Sequence, residues 1–200
     1  MANCLFLGDS ITDAGHLFDP ANLGEGYVSV LAEMTAADQC ILCNRGHDGF
    51  TVEQVLRMLK RDGIEKHWDI ISLLAGINDI PVEVYTSHHR IPDEFSQYYT
   101  ELLEFLSLRT NARLILIEPF LFSIPQEYQN WQPYLQMESS IIRNLALRFD
   151  AALLPANEIL NHAASIHGVR QITVDGIHLT SLGNRILAET WMELYQDLKN

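Results

Sequence analysis

Two short stretches carry residue types suited to acyl-transfer chemistry. Gly8-Asp9-Ser10 places a serine hydroxyl directly after a short apolar run, Asn3 to Gly8. Asp175-Gly176-Ile177-His178 sets a carboxylate and an imidazole three residues apart, so a single turn can present both on one side. A serine hydroxyl is a weak nucleophile at neutral pH and needs an adjacent base. Imidazole titrates near that pH and can take a proton and return it. A carboxylate beside it fixes the tautomer and stabilises the imidazolium. Each piece also has a plainer reading. Asp and Ser are ordinary turn and capping residues. His178 is one of eight histidines, and Asp175 could serve a loop or a cap.

Two further loops could supply amide donors. Asn44-Arg45-Gly46-His47-Asp48-Gly49-Phe50-Thr51 and Gly76-Ile77-Asn78-Asp79 each follow an apolar run. Backbone N–H groups or an asparagine amide in such loops can surround a developing oxyanion, or the segments can simply be turns.

The elements around them must bring these four stretches together. Five apolar runs read as strands covered on both faces: Asn3 to Gly8, Gln39 to Asn44, Asp69 to Gly76, Ala112 to Phe120 and Ala151 to Pro155. Amphipathic runs alternate with them at Tyr27 to Ala37, Thr51 to Arg61, Pro92 to Arg109, Gln132 to Phe149 and Thr180 to Leu198, with Thr51 and Thr180 or Ser181 as N-caps. Strands alternating with helices predict an α/β fold: a three-layer α/β/α sandwich on a five-stranded parallel sheet, flavodoxin-like, with right-handed crossovers. Pro81 to Pro92 and Ser123 to Pro133 read as loops at the strand ends where such sheets bind ligands.

Composition bounds the function. At 200 residues, 48% of them apolar, the chain reads as a single domain over residues 1–200 with a sizeable core. A net charge of −13 repels polyphosphate, so nucleic acid is not an expected partner, nor is an anionic membrane. The start, MANCLFLGDS, has neither a basic segment nor a long apolar stretch, which makes the cytoplasm the expected address. Cys40-Ile-Leu-Cys43 has CxxC spacing, but it falls in a strand-like run rather than at a helix start. With Cys4, these are expected to be buried, reduced core residues. His88-His89 lacks a third ligand at standard spacing, so no metal site is expected. Gly24-Glu25-Gly26 lacks the lysine and spacing of a phosphate loop.

The four stretches in order, GDSIT, NxGxxGxT, GxND and DxxH before a C-terminal helix, resemble the SGNH/GDSL hydrolases from Gly8 to His178. The opening GDSITD, the later GEGYV and the IEPF segment (Ile117 to Phe120) resemble bacterial GDSL carbohydrate acetylesterases, acetylxylan esterase-like members among them. By position, the resemblance implies Ser10 as nucleophile, His178 as base and Asp175 as its orienting carboxylate. It implies an oxyanion hole from the Ser10 and Gly49 amides and the Asn78 side chain, with Gly46 the poorer glycine candidate. Asp9, His47, Asp48 and Trp131 are candidates for contact with substrate. No cofactor or metal is implied. The expected partner is a small-molecule or oligosaccharide ester, with self-association left open. The alternatives are a short-chain lipase, lysophospholipase or thioesterase on the same scaffold, or a non-catalytic ligand-binding module.

Overall fold

The computed structural model describes residues 2–36 and 40–199. Five parallel strands form one sheet in the order β2-β1-β3-β4-β5. They are β1 (Asn3–Gly8), β2 (Ile41–Gly46), β3 (Ile70–Leu74), β4 (Arg113–Ile117) and β5 (Ala152–Leu154). This is the doubly wound, flavodoxin-like order, and it places the ligand-binding crevice at the carboxyl ends of β1 and β3, where the chain reverses direction across the sheet. Strand β1 is buried along nearly its whole length and β3 throughout, so both faces are covered. That explains why these segments read as continuous apolar runs without alternation.

Helices α3 (Val52–Asp62), α5 (Asp93–Arg109) and α6 (Gln132–Arg148) cover one face. Helices α2 (Tyr27–Thr35), α7 (Ala156–His167) and α9 (Ser181–Lys199) cover the other. On that second face Trp191 of α9 packs 5.3 Å from the Phe6 ring and donates its indole N–H to Ser72 Oγ on β3 at 3.0 Å. Tyr27 of α2 meets the Phe6 edge at 5.9 Å. Shorter helices are α1 (Ser10–Asp13), α4 (Asp79–Tyr85) and α8 (Val169–Ile172).

Several boundaries differ from the sequence-based expectation. Helix α4 occupies part of the expected Pro81 to Pro92 loop. Pro81 sits in its first turn, where the missing N–H would have had no intrahelical partner. Helix α7 was not expected. Its inner face is Ala156, Leu160, Ala163 and Ala164, too small a stripe to stand out by periodicity. Strand β2 runs on to Gly46, past the expected end at Asn44. Ala37 and Gln39, the expected ends of a helix and a strand, lie outside the described residues. Cys4 is buried as expected, but Cys40 and Cys43 are only partly buried, and Cys40 Sγ lies 3.2 Å from the Tyr195 hydroxyl. Among the described residues, no helix is long and apolar enough to cross a membrane.

Candidate active site

Ser10 is the first residue of α1, a single turn set directly on the end of β1. Asp9 caps it, with Oδ1 accepting the Ile11 N–H at 3.0 Å. Gly8 makes this turn attainable: at φ +156°, a Cβ there would lie 2.2 Å from the Leu74 carbonyl oxygen. The Ser10 hydroxyl therefore stands on the rim of the sheet. As a first-turn residue, its N–H is one of the donors a helix cannot satisfy internally.

Asp175 and His178 stand on a loop closed by a bridge between Thr173 and Leu179. Val174 N donates to the His178 carbonyl at 2.9 Å, and so does Thr173 Oγ1 at 2.8 Å. Gly176 (φ +101°) lets the loop lie against the segment after β4. Its carbonyl accepts the Phe122 N–H at 2.9 Å, and a Cβ would fall 1.8 Å from the Ile124 carbonyl oxygen. Behind the loop, Thr180 caps α9 by accepting the Gly183 N–H at 3.2 Å.

The loop brings His178 to the serine. Ser10 Oγ and His178 Nε2 are 3.1 Å apart, and His178 Nδ1 and Asp175 Oδ2 are 2.7 Å apart. Asp175 Oδ1 accepts the Ile177 and His178 N–H groups at 2.9 and 2.8 Å. Partial burial would raise the Asp175 carboxyl, but its hydrogen bonds from the His178 ring and the two amides outweigh that and hold it below the ordinary carboxylate range. An ionised Asp175 accepts from Nδ1–H, which leaves the Nε2 lone pair facing the serine hydroxyl.

The second and third stretches close around the same rim. His47 N donates to the Gly8 carbonyl at 3.0 Å, and Asn78 Nδ2 donates to the Phe50 carbonyl at 3.0 Å. Asp79 Oδ2 accepts the Val52 N–H at 3.0 Å, which ties the third stretch to the start of α3. Thr51 and Gln54 form a reciprocal capping box there. Gly49 adopts φ +71°. The Gly46 N–H is already taken by Asn44 Oδ1 at 2.9 Å, whereas among the described residues no protein acceptor takes the Ser10 or Gly49 N–H. Asn78 uses one amide hydrogen on Phe50 and keeps a second.

Two expected substrate contacts are corrected by burial. Asp9 has no exposed surface and caps α1 from beneath. Trp131 is 5% exposed and packs on Tyr128 and Tyr85, with ring centroids 4.5 and 5.9 Å away. His47 is partly exposed and stacks on Phe50 at 4.6 Å; burial is the main cause that lowers its pKa. Asp48 is exposed, and its N–H donates to Asp13 Oδ2 at 2.9 Å.

Sequence reasoning missed the bracing residues. Asn44 Nδ2 donates to the Thr12 and Leu23 carbonyls at 2.6 and 2.8 Å, binding the serine turn to the loop that follows it. Asp13 links that turn to Asp48 and also accepts from His16 Nδ1 at 2.7 Å. Beneath the rim lies a buried acidic group. Desolvation pushes Asp9 and Asp79 each up to about 7, and raises Glu138 well above its usual range. Arg90 Nη1 lies 3.8 Å from Asp79. The acidic residues of the GDS and GxND stretches, Asp9 and Asp79, belong to this layer, and Glu138 lies in neither. His88 and His89 pair with Glu94 and Glu83 at 2.8 and 3.0 Å.

Comparison with known proteins bears on this arrangement. The sequence profile of the GDSL-like lipase/acylhydrolase family matches residues 6–186. An acetylxylan esterase from Geobacillus stearothermophilus is 24% identical over 200 residues, covering 94% of this chain and 91% of the relative. A crystal structure from Parabacteroides merdae, provisionally named a GDSL-like lipase, superposes with a TM-score of 0.87 at 27% identity over 96% of this chain and 94% of that one. A catalytic mutant of the Geobacillus stearothermophilus acetylxylan esterase superposes with a TM-score of 0.83 at 21% identity over 96% and 93% of the two chains.

Proposed function

Since the chain belongs to the GDSL-like lipase/acylhydrolase family and is a carboxylic ester hydrolase, we propose that it removes small acyl groups, acetyl above all, from carbohydrate esters through Ser10, His178 and Asp175. The observation that carries the mechanism is the relay Ser10 Oγ to His178 Nε2 to Asp175, at 3.1 and 2.7 Å. Ser10 Oγ attacks the ester carbonyl carbon while His178 Nε2 takes its proton. The negative oxygen that results is held by the Ser10 and Gly49 N–H groups and the second Asn78 amide hydrogen, each such donor contributing about 3 kcal/mol. Collapse expels the sugar oxygen, which takes the proton back from His178 and leaves an acyl-serine. Water, deprotonated by His178, then attacks that ester. The acid departs and Ser10 regains its proton. Asp175 stabilises the imidazolium at each stage.

The pocket in front of Ser10 supports a small acyl group on a polar alcohol. It holds about 250 Å³ and is lined by Ile11, Ala14 and Leu179 together with Glu25 and Asn184. A carboxylate and an amide in so small a lining would leave a long alkyl chain against polar groups. The acetylxylan esterase relative points to the same substrate class.

The test is acetate release from acetylated xylo-, gluco- and manno-saccharides by wild type and Ser10→Ala, beside a p-nitrophenyl ester series of rising chain length. Release by wild type and its loss in Ser10→Ala are expected. A preference for long acyl chains would replace the acetylesterase reading with a lipase or thioesterase. Activity retained in Ser10→Ala would overturn the mechanism.

A further inference from the structure

The catalytic pocket does not end at Ser10. Ala14 and Glu25 line it, and the same two residues line a second depression of about 390 Å³ bounded by Phe18, Asp19 and Pro20. That volume lies within the range of about 300–1,000 Å³ typical of small-molecule sites. The two hollows are neighbours, with Ala14 and Glu25 in the lining of both. Phe18 stands on the outer wall with 93% of its surface exposed, and its neighbour Leu17 is 69% exposed. An exposed ring held on an ordered loop forgoes burial worth about 1.5–3 kcal/mol.

The loop that carries Phe18 is firmly built. Ala14 (φ 42°) and Gly15 (φ 74°) turn the chain out of α1, and residues 16–18 form a single 3₁₀ turn. Asp19 then gathers the Ala21, Leu23 and Gly24 N–H groups at 3.1, 2.9 and 3.1 Å, which holds its carboxyl below the usual range. Glu25 N donates to the Ala14 carbonyl at 2.9 Å, which ties together the two residues that the hollows share. Asp19 is thus spent on the loop, whereas among the described residues no protein donor takes the Glu25 carboxylate.

We propose that this depression is a second sugar subsite, in which the Phe18 ring stacks on the apolar C–H face of the sugar unit next to the acylated one and Glu25 accepts hydroxyl hydrogen bonds across the junction. The proposal rests on the carbohydrate-ester reading above. A pyranose offers what this depression takes: a flat C–H face for an aromatic ring and hydroxyl donors for a carboxylate. A fatty acyl chain would gain from Phe18 but would pass Glu25 unpaired.

The experiment compares kcat/KM for mono-O-acetylated xylobiose, mono-O-acetylated xylose and p-nitrophenyl acetate in wild type, Phe18→Ala, Phe18→Trp and Glu25→Gln. Thermal unfolding and size-exclusion chromatography accompany each variant. In wild type the disaccharide should be the better sugar substrate. Phe18→Ala should lower the ratio of disaccharide to p-nitrophenyl acetate by about tenfold, mainly through KM, and Phe18→Trp should restore it. Glu25→Gln should lower the same ratio. If wild type releases acetate from both sugars but Phe18→Ala leaves the ratio within twofold, the subsite is wrong and the carbohydrate reading stands. If wild type cleaves p-nitrophenyl acetate and neither sugar, the carbohydrate reading falls and takes the subsite with it. A change of oligomeric state in Phe18→Ala with the ratio unchanged would mark the patch as a contact between copies instead.

Discussion

Asp9 offers a perturbation whose size follows from where the side chain sits. Its carboxyl has no exposed surface, and Oδ2 has no hydrogen-bond partner among the described residues. Desolvation raises it from 3.8 to about 7, against the opposing pull of the Ile11 amide and the His178 ring. Between those two values the folded chain binds a proton that the unfolded chain has released. Stability from this group is therefore fully present below about pH 4, falls as pH rises towards 7, and is level above that. The total loss is about 4 kcal/mol. Asp9→Asn keeps the cap, since asparagine oxygen serves the Ile11 N–H as well as aspartate does. It also removes the charge, at the cost of a buried amide nitrogen without an acceptor, about 1–3 kcal/mol at every pH. The absolute stability of the variant thus matters less than its trend. Urea unfolding from pH 4 to pH 8 should show the difference between variant and wild type moving by about 4 kcal/mol in the variant's favour. Two parallel pH profiles, differing by a constant to within about 1 kcal/mol, would refute the claim that burial raises the Asp9 carboxyl on folding.

Two further outcomes follow from the relay loop. Asp175→Asn should lower kcat on p-nitrophenyl acetate by about 10⁴ with little change in stability, because the amide can donate to Nδ1 and turn the wrong tautomer towards Ser10. In wild type, Asp175 is held below its usual 3.8, so it stays ionised at moderately acid pH, and the pH profile of kcat should show no loss attributable to it above about pH 4. Gly176→Ala should cost both activity and stability, since its Cβ would meet the Ile124 carbonyl oxygen at 1.8 Å with φ at +101°. Normal kcat and an unchanged melting temperature in that variant would show the loop to be more yielding than its contacts imply.

What could be read from the sequence, and what could not, divides along range of interaction. Strand β1 and the caps Thr51 and Thr180 were legible because they depend on residues within one turn or one run. Ser10, His178 and Asp175 were singled out by the four stretches taken together, and the structure sets them 3.1 and 2.7 Å apart. Helices α4 and α7 were missed because the local signals misled: a proline tolerated in the first turn, and a core face made largely of alanine. Asp9 and Trp131 were expected at the surface because a sequence does not record exposure, and both are buried. The bracing roles of Asn44, Asp13 and Asp79 were not legible, although Asn44 and Asp79 stand within the second and third stretches. Each of the three reaches at least one backbone group roughly 20–35 positions away. The cost of such bracing is visible in Asp79, which gives one oxygen to the start of α3 and pays for its burial with a carboxyl raised to about 7. A site whose reacting groups come from opposite ends of the chain needs this kind of buried polar link, because apolar packing alone does not fix a loop to within the few tenths of an ångström that a serine–imidazole hydrogen bond requires.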